Sequence, residues 1–483
     1  MSKKLKVEPR TLKGFQDLLP EEFACRRAVL GVIERVFQRY GFSPVETPAM
    51  EHLETLLGPG GEGVNKELFR LESPEGEPVA LRFDLTVPFA RLLAQYPDRL
   101  RAPFKRYAIG PVFRADKPGP GRFRQFTQVD IDAAGAETVA VDAEVIAVMS
   151  EIMEGLGVTQ YEVQVNNRKL IDALMASCGI VEEGRQKHVL RVIDKLAKVG
   201  IENVRRELGP GRVDESGDPI PGVQLDGDTI ERLIQYIGIG EHRHPHAKVL
   251  ARIEELLPET DDSREALAEM HELAEALVAL GVPQHKTRFD PSLARGLDYY
   301  TGPVFEMVIP TAPELGSIMG GGRYNGLVER FSDRPIACTG MSVGLERLMG
   351  ALRHQGSLPI PPPAVQVLVV TMGNVPKAET LRVAAELREA GFRTETFFAS
   401  KKKMQMGNQL SHADHYGIPV AVIIGEDELA NGVVSVKDLE AGKEKRDAIE
   451  DREAYRGAGK TGQVTVARAE MVGTVSALLS GQG

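Results

Sequence analysis

Between residues 101 and 132 the chain gathers side chains suited to a substrate of mixed charge. Arg101 through Arg124 holds seven Lys or Arg and one acid, Asp116, in a protein with 59 basic residues, 69 acidic residues and a net charge of −10. Two apolar-rich runs, Phe104 to Phe113 and Arg124 to Asp132, flank a tip containing Pro118, Gly119, Pro120 and Gly121. That pattern predicts an antiparallel hairpin with a long turn. Alternation along the second run puts Phe126, Gln128, Asp130 and Asp132 on one face, and Thr127, Val129 and Ile131 on the other. Two carboxylates and an amide beside an arginine-rich loop suit a ligand with both anionic and cationic parts. Taken alone, the hairpin reads equally well as a solvated basic arm or an arm for nucleic acid.

Further constellations lie elsewhere. Residues 79 to 87, Val-Ala-Leu-Arg-Phe-Asp-Leu-Thr-Val, alternate as a strand that carries Arg82, Asp84 and Thr86 on one face. An acid and a hydroxyl two residues apart can bind an amino group, and the same pattern suits an outward-facing strand surface. At 295 comes Arg295-Gly296-Leu297-Asp298-Tyr299-Tyr300, followed by a strand over Val304 to Ile309. Then come Gly320-Gly321-Gly322-Arg323-Tyr324-Asn325 and Gly344-Leu345-Glu346-Arg347. Glycine within a strand marks close backbone approach, and three in a row fit a flat base lying against a sheet. Glu241-His242-Arg243-His244-Pro245-His246 lacks a second ligand pair and reads as a surface loop, so no metal site is expected. Ala454 to Thr461, Ala-Tyr-Arg-Gly-Ala-Gly-Lys-Thr, nearly matches a phosphate-binding loop. It lacks the buried strand before it and the helix after it that such a loop requires.

The elements that must hold these residues are legible in outline. With 483 residues the length suggests about three domains, and 42% hydrophobic with 27% charged residues describes a soluble globular chain. Cys25, Cys178 and Cys338 are too far apart for a paired-thiol site and read as reduced cytosolic thiols. No apolar run approaches the roughly 20 residues of a membrane span. The charged start lacks an apolar h-region, so no signal peptide is expected and the expected location is cytoplasmic. Pro20, Glu21 and Glu22 open a helix, Val29, Ile33, Val36 and Tyr40 recur at helical spacing, and Gly41 stops it. A strand is expected over Ser43 to Thr47, ending at Pro48. A helix follows over 138 to 156, with Val141, Val145, Val148 and Ile152 on one stripe. Residues 170 to 285 turn helix-rich and acidic. After Leu358-Pro359-Ile360-Pro361-Pro362-Pro363, strands at Val365 to Thr371 and Ala421 to Gly425 and a helix at Ala378 to Ala390 imply a small αβ domain.

These motifs resemble the histidyl-tRNA synthetase family. Phe113-Arg114 and Arg124-Gln125-Phe126 look like motif 2 of class II aminoacyl-tRNA synthetases, and helix, strand and Pro48 look like the dimer-forming motif 1. Arg295 to Tyr300 and Gly321 to Tyr324 look like the two signature peptides, and Gly344 to Arg347 like motif 3. The similarity spans about residues 10 to 350. Asn325 stands where many members have aspartate, and Asp132 where many bacterial members have glutamate. The resemblance implies an α+β fold with an antiparallel-sheet core in two parts, 1–169 and 286–355. It also implies a helical insertion at 170–285, a linker at 356–363 and an anticodon-binding αβ domain at 364–483. It implies ATP and Mg2+, L-histidine, its tRNA, and a homodimer. By resemblance Arg114 holds the α-phosphate and Arg347 the γ-phosphate, Gly322 belongs to the ATP site, and Arg295 stabilises charge during attack. Asp84, Thr86 and Gln128 hold the amino and carboxylate ends of histidine, which Arg295 also meets, while Asp132, Tyr299 and Tyr300 read the imidazole. The alternative is the non-catalytic paralogue that regulates ATP phosphoribosyltransferase. That family typically lacks the C-terminal domain and the signature arginine, whereas this chain has Arg295 and 120 residues from 364 to 483.

Overall fold

The computed structural model describes residues 7–57, 68–119, 121–214, 217–241, 243–294, 300–399, 404–441 and 462–480. Two compact units divide the chain, Met1–Pro359 and Ile360–Gly483.

The helix Pro20–Arg39 forms where its proline and acidic first turn predict, and buries Val29, Ile33, Val36 and Phe37. The next strand is shorter than expected. The strand covers only Ser43–Pro44 (β1), with the Val45 N–H donating once more to the Tyr107 carbonyl at 2.9 Å before Arg82 captures the chain beyond it. That guanidinium donates to the Thr47 carbonyl at 2.6 Å and the Pro48 carbonyl at 3.3 Å. A small three-stranded sheet follows from Met50–His52 (β2), Arg70–Glu72 (β3) and Pro78–Leu81 (β4), in the order β2-β4-β3. The strand expected over 79 to 87 therefore ends at Leu81. Thr86 instead opens the helix Thr86–Gln95, and Asp84 Oδ1 accepts the Val87 backbone N–H at 3.1 Å. A carboxylate placed to take a free helix N–H outweighs the alternation of side chains.

The predicted hairpin is present as Phe104–Phe113 (β5) and Gln125–Ala134 (β6), paired antiparallel throughout. The principal sheet adds Glu162–Asn167 (β7), Thr287–Phe289 (β10), Pro303–Val308 (β11), Met319–Tyr324 (β12) and Cys338–Gly344 (β13). Between them in sequence, Gly211–Val213 (β8) and Pro219–Pro221 (β9) make a separate hairpin. The eight strands run β1-β5-β6-β13-β12-β11-β7-β10, antiparallel except for the parallel pairs at each end. Val129, Ile131, Met341, Val343, Phe305 and Met307 point to one side and share a hydrophobic cluster with the helices Pro20–Arg39 and Ala140–Gly155. Alternation then sends the polar residues of the same strands to the other side.

The helical segment shares its core with the sheet. Leu170, Leu174, Leu233, Leu273 and Leu277 belong to the same cluster as Val129 and Ile146. The helix Asp261–Ala279 bridges them by packing on both Ala140–Gly155 and Arg168–Ser177. His246, expected in a surface loop, is buried instead, stacked 4.0 Å from Phe289 and bonded to Thr287.

In the second unit, Val367–Thr371 (β14), Thr394–Thr396 (β15), Val420–Ile424 (β16), Val433–Asp438 (β17) and Gln463–Ala467 (β18) form a sheet ordered β15-β14-β16-β17-β18. Strands β14 and β16 are buried along their whole length. Lys377–Glu389 and Met471–Ser480 pack against one side and Met406–His415 against the other. Continuous apolar strands covered on both faces are the usual sign of a parallel core. Lys401-Lys402-Lys403 and the Ala454 to Thr461 near-match fall outside the described residues. No helix among the described residues is long and apolar enough to cross a membrane.

Each unit has its own apolar core, so each is expected to fold alone. Residues 1–359 and 360–483, made separately, should each melt in one cooperative transition. Calorimetry that finds either piece without such a transition would contradict this division.

Candidate active site

Strand register turns the polar side of the principal sheet into three rows. The innermost joins Arg106, Asp132, Gly340, Gly322 and Val304 across β5, β6, β13, β12 and β11. The middle row is Ala108, Asp130, Ser342, Gly320 and Glu306, and the outer row is Gly110, Gln128 and Gly344. Six of these thirteen positions are Gly or Ala, so the floor is low and its few polar side chains stand clear of it.

The innermost row is a buried polar cluster. Arg106 and Asp132, 1% and 2% exposed, form an ion pair. The Tyr324 hydroxyl donates to Asp132 Oδ1. Arg106 also donates to the Leu85 carbonyl at 2.9 Å and lies 4.7 Å over the Phe89 ring. Glycine at 340 is required here, because a Cβ would stand 2.4 Å from Asp132 Oδ1. Burial pushes the Asp132 carboxyl up to about 6, against the pull of Arg106 and Tyr324. It pushes Asp130 up to about 7, with the charges of Asp132 and Asp84 adding to the shift. Arg106 and the Ser342 hydroxyl oppose that shift. Neither Asp130 oxygen, however, has a hydrogen bond of ordinary geometry. Burial likewise raises Asp84.

Toward solvent the floor opens into a cleft of about 400 Å³ lined by Arg114, Phe126, Gln128, Glu306, Gly320, Ser342 and Arg347. Arg114 donates through Nε to the Phe83 carbonyl at 3.1 Å, with its guanidinium 5.1 Å from the Phe126 ring centre. Arg347, at the start of the helix Leu345–His354, donates to the Ser317 carbonyl at 3.0 Å. Its neighbour Glu346 accepts from Arg26 at 2.7 Å and from the Thr127 N–H at 3.2 Å, tying that helix to the first helix and to β6. Guanidinium groups at a cleft mouth suit phosphate oxygens. The carboxylates behind them suit a cationic group.

The Histidyl-tRNA synthetase family model matches residues 14–348, and the Anticodon binding domain model matches residues 366–477. The histidine–tRNA ligase of Rhizobium rhizogenes is 38% identical over 494 residues, spanning 99% of this chain and 97% of its own. This chain belongs to the histidyl-tRNA synthetase family. The crystal structure of histidyl-tRNA synthetase from Nostoc sp. PCC 7120 superposes with a TM-score of 0.77 at 32% identity, covering 98% of this chain and 99% of that one. A Bacillus halodurans structure described as an ATP phosphoribosyltransferase regulatory subunit/histidyl-tRNA synthetase has a TM-score of 0.69 at 23% identity. It covers 86% of this chain and 99% of that one, and at such identity the likeness concerns the fold alone.

Of the residues that the synthetase resemblance singles out, Arg114, Gln128 and Arg347 meet in the outer cleft. Asp132 lies on the inner row, already engaged by Arg106 and Tyr324. Asp84 sits beyond the floor at the cap of the helix Thr86–Gln95, close enough to Arg114 and Arg106 for their charges to oppose its upward shift. Thr86 is the first residue of that helix. A Cβ at Gly322 would stand 3.0 Å from the Tyr300 ring and 2.7 Å from the Pro303 carbonyl, so that glycine lies under Tyr300. Of the three consecutive glycines Gly320 lines the cleft, while Gly321 faces the β13 backbone. Arg295 and Tyr299 fall outside the described residues.

Sequence reasoning missed Arg106, Tyr324 and Arg323. Arg106 was recoverable, since pairing the hairpin outward from its tip sets it opposite Asp132. Arg323 has a structural task, binding Asp142 and the Thr138 carbonyl and so pinning β12 to the helix Ala140–Gly155. No group of three or more His, Cys, Asp or Glu among the described residues is arranged to hold a metal ion.

Two expectations follow. Asp132→Ala strands a buried guanidinium and should cost about 3–5 kcal/mol in urea unfolding. An effect under about 1 kcal/mol would mean the pair is not structural. The second concerns pH. A carboxyl whose value is raised in the fold contributes most stability below its unfolded value, and that contribution is lost as pH rises toward the folded value. Asp130, at about 7, thus weakens the fold progressively between about pH 4 and pH 7. Asp130→Asn removes this penalty. The melting temperature of the variant minus that of the unchanged protein should therefore increase from pH 5 to pH 8, and a flat difference would refute the shift.

Proposed function

We propose that this protein is a histidine–tRNA ligase, activating L-histidine with ATP to histidyl-adenylate and transferring the histidyl group to its tRNA. The observation that carries the reading is a guanidinium-lined cleft on the sheet face that also carries Asp130 and Asp132, in a chain of this family. A carboxylate oxygen of histidine attacks the α-phosphorus of ATP. The bond from that phosphorus to the bridging oxygen breaks, and pyrophosphate leaves. A ribose hydroxyl of the tRNA terminus then attacks the activated carbonyl carbon, releasing AMP. Both steps depend on placement and on stabilising charge as it develops.

In this reading Arg114 holds the α-phosphate and Arg347 the γ-phosphate, both lining the cleft. Arg295 steadies the charge that forms during attack. Asp84, Thr86 and Gln128 hold the amino and carboxylate ends of the amino acid. Asp132, fixed by Arg106 and Tyr324, meets the imidazole beside Tyr299 and Tyr300. Gly322 keeps β12 low beneath Tyr300 and next to the nucleotide subsite. Magnesium would be held by Glu306, which lines the cleft beside Arg347, together with the phosphates whose charge it neutralises. One or two carboxylates plus substrate phosphates is a usual magnesium arrangement. Residues 364–483 would read the anticodon. The three free cysteines fit a reducing, cytoplasmic setting. The motif 1 resemblance, with Phe23, Met50 and Leu71 about half exposed nearby in sequence, supports a homodimer.

The test is exchange of labelled pyrophosphate into ATP, which should require histidine and proceed without tRNA. Arg295→Ala should lower that exchange about 100-fold, the usual loss on removing a group that stabilises developing charge, while histidine binding persists. Near-normal exchange by the variant would remove Arg295 from the mechanism.

A further inference from the structure

The middle row of the floor holds a carboxylate to which the reading above gives no task. Asp130 is 1% exposed, and neither of its oxygens has a hydrogen bond of ordinary geometry. It stands between Gln128 and Asp132 on the same face of β6, with Ala108 beside it on β5 and Ser342 on β13. The Ser342 hydroxyl is bonded at 2.8 Å by the Gln128 amide.

The charges around it do not balance. Arg106, Arg82, Asp132 and Asp84 act on Asp130, and Arg106 is already paired with Asp132. Arg82 crosses the neighbouring β5 strand and donates through Nε to the Pro111 carbonyl and through Nη1 to the carbonyls of Thr47 and Pro48. Asp130 thus lies near two guanidinium groups whose hydrogen bonds go to other partners, while Asp84 feels the charges of Arg114, Arg106 and Arg330. A buried carboxylate without a partner costs free energy, and a cationic ligand group arriving there would offset that cost.

We propose that Asp130 is a further substrate-binding residue that, together with Asp84, holds the α-ammonium group of the amino acid. The proposal rests on the reading of this floor as the histidine pocket. It divides the two aspartates of β6 by task. Asp132, held by Arg106 and Tyr324, is a fixed acceptor for the ring, and Asp130, with no hydrogen bond of ordinary geometry to either oxygen, is the carboxylate for the positive charge. The raised value of Asp130 agrees with a group that ionises when a cation arrives. Groups facing it are Arg106 on β5, Asp132 on its own strand, Ser342 on β13, and Arg82 and Asp84 from the segment after β4.

Two inhibitors separate ammonium recognition from ring recognition. Histidinol keeps the ammonium and the imidazole, whereas 3-(imidazol-4-yl)propionate keeps the ring and lacks the ammonium. Inhibition of histidine-dependent pyrophosphate exchange is measured for the full chain and for Asp130→Asn. The variant should raise the histidine KM and the histidinol inhibition constant roughly 10- to 100-fold, the range for losing a charge-assisted hydrogen bond. Inhibition by imidazolylpropionate should change less than about twofold, which also reports that the pocket is intact. Equal weakening of both inhibitors would overturn the proposal, because Asp130 would then serve the ring or the fold. An unchanged histidinol constant would overturn it as well. Asp130→Ser, tested in parallel, must show the same selective loss, and weakening of both inhibitors in both variants counts against the proposal. Failure of the unchanged protein to respond to histidine at all would instead refute the reading of the site on which the proposal depends.

Discussion

The buried Arg106–Asp132 pair is the constraint around which the polar side of the principal sheet is arranged. Neither charge can be left alone inside the protein, since an unpaired buried ion costs several kcal/mol. Tyr324 and the Leu85 carbonyl take up further bonding capacity on the two partners, and Phe89 covers the guanidinium. Through those contacts one ion pair ties together β5, β6, β12 and the segment before the helix Thr86–Gln95. Gly340 is the space the pair requires. The floor is smooth because charged side chains need the room directly above β13 and β12.

Two electrostatic zones meet along one strand. Gln128 belongs to the outer cleft with Arg114 and Arg347, while Asp130 and Asp132 lie behind it in the dry part of the floor. A chain with a net charge of −10 gains nothing from its overall field when it meets a polyanionic nucleotide. It concentrates arginine locally instead. The arginines at the mouth and the carboxylates of the interior thus lie a few residues apart along β6.

The helices that cover the other side make that precision possible. Glu346 locks the helix Leu345–His354 to Arg26 and to β6, so Arg347 is presented from a fixed base. Arg323 locks β12 to the helix Ala140–Gly155 through Asp142. The helical segment after β7 adds its leucines to the same core, which makes it part of the support beneath the floor. Side chains held by packing and by neighbouring hydrogen bonds keep the geometry that positioning chemistry requires.

Much of this was readable from residue order alone. The hairpin, its polar face, the first helix with its proline and acidic start, and the αβ second unit all follow from local patterns of period 2 or 3.6 and from turn residues. The motifs also named the family, because they combine rare residue types in a fixed order. What the sequence could not decide was where alternation stops and which polar groups satisfy each other. Residues 79 to 87 alternate like a strand to their end, yet the carboxylate of Asp84 caps a helix, a choice made by a hydrogen bond that alternation does not encode. Gly320, Gly321 and Gly322 are one motif in sequence and three different environments in the sheet, since pleating alternates their faces and Tyr300 arrives from outside the strand. Asp130 and Asp132 are equivalent by spacing. Only register, which sets Arg106 opposite Asp132 and Ala108 opposite Asp130, gives the second its ion-pair partner.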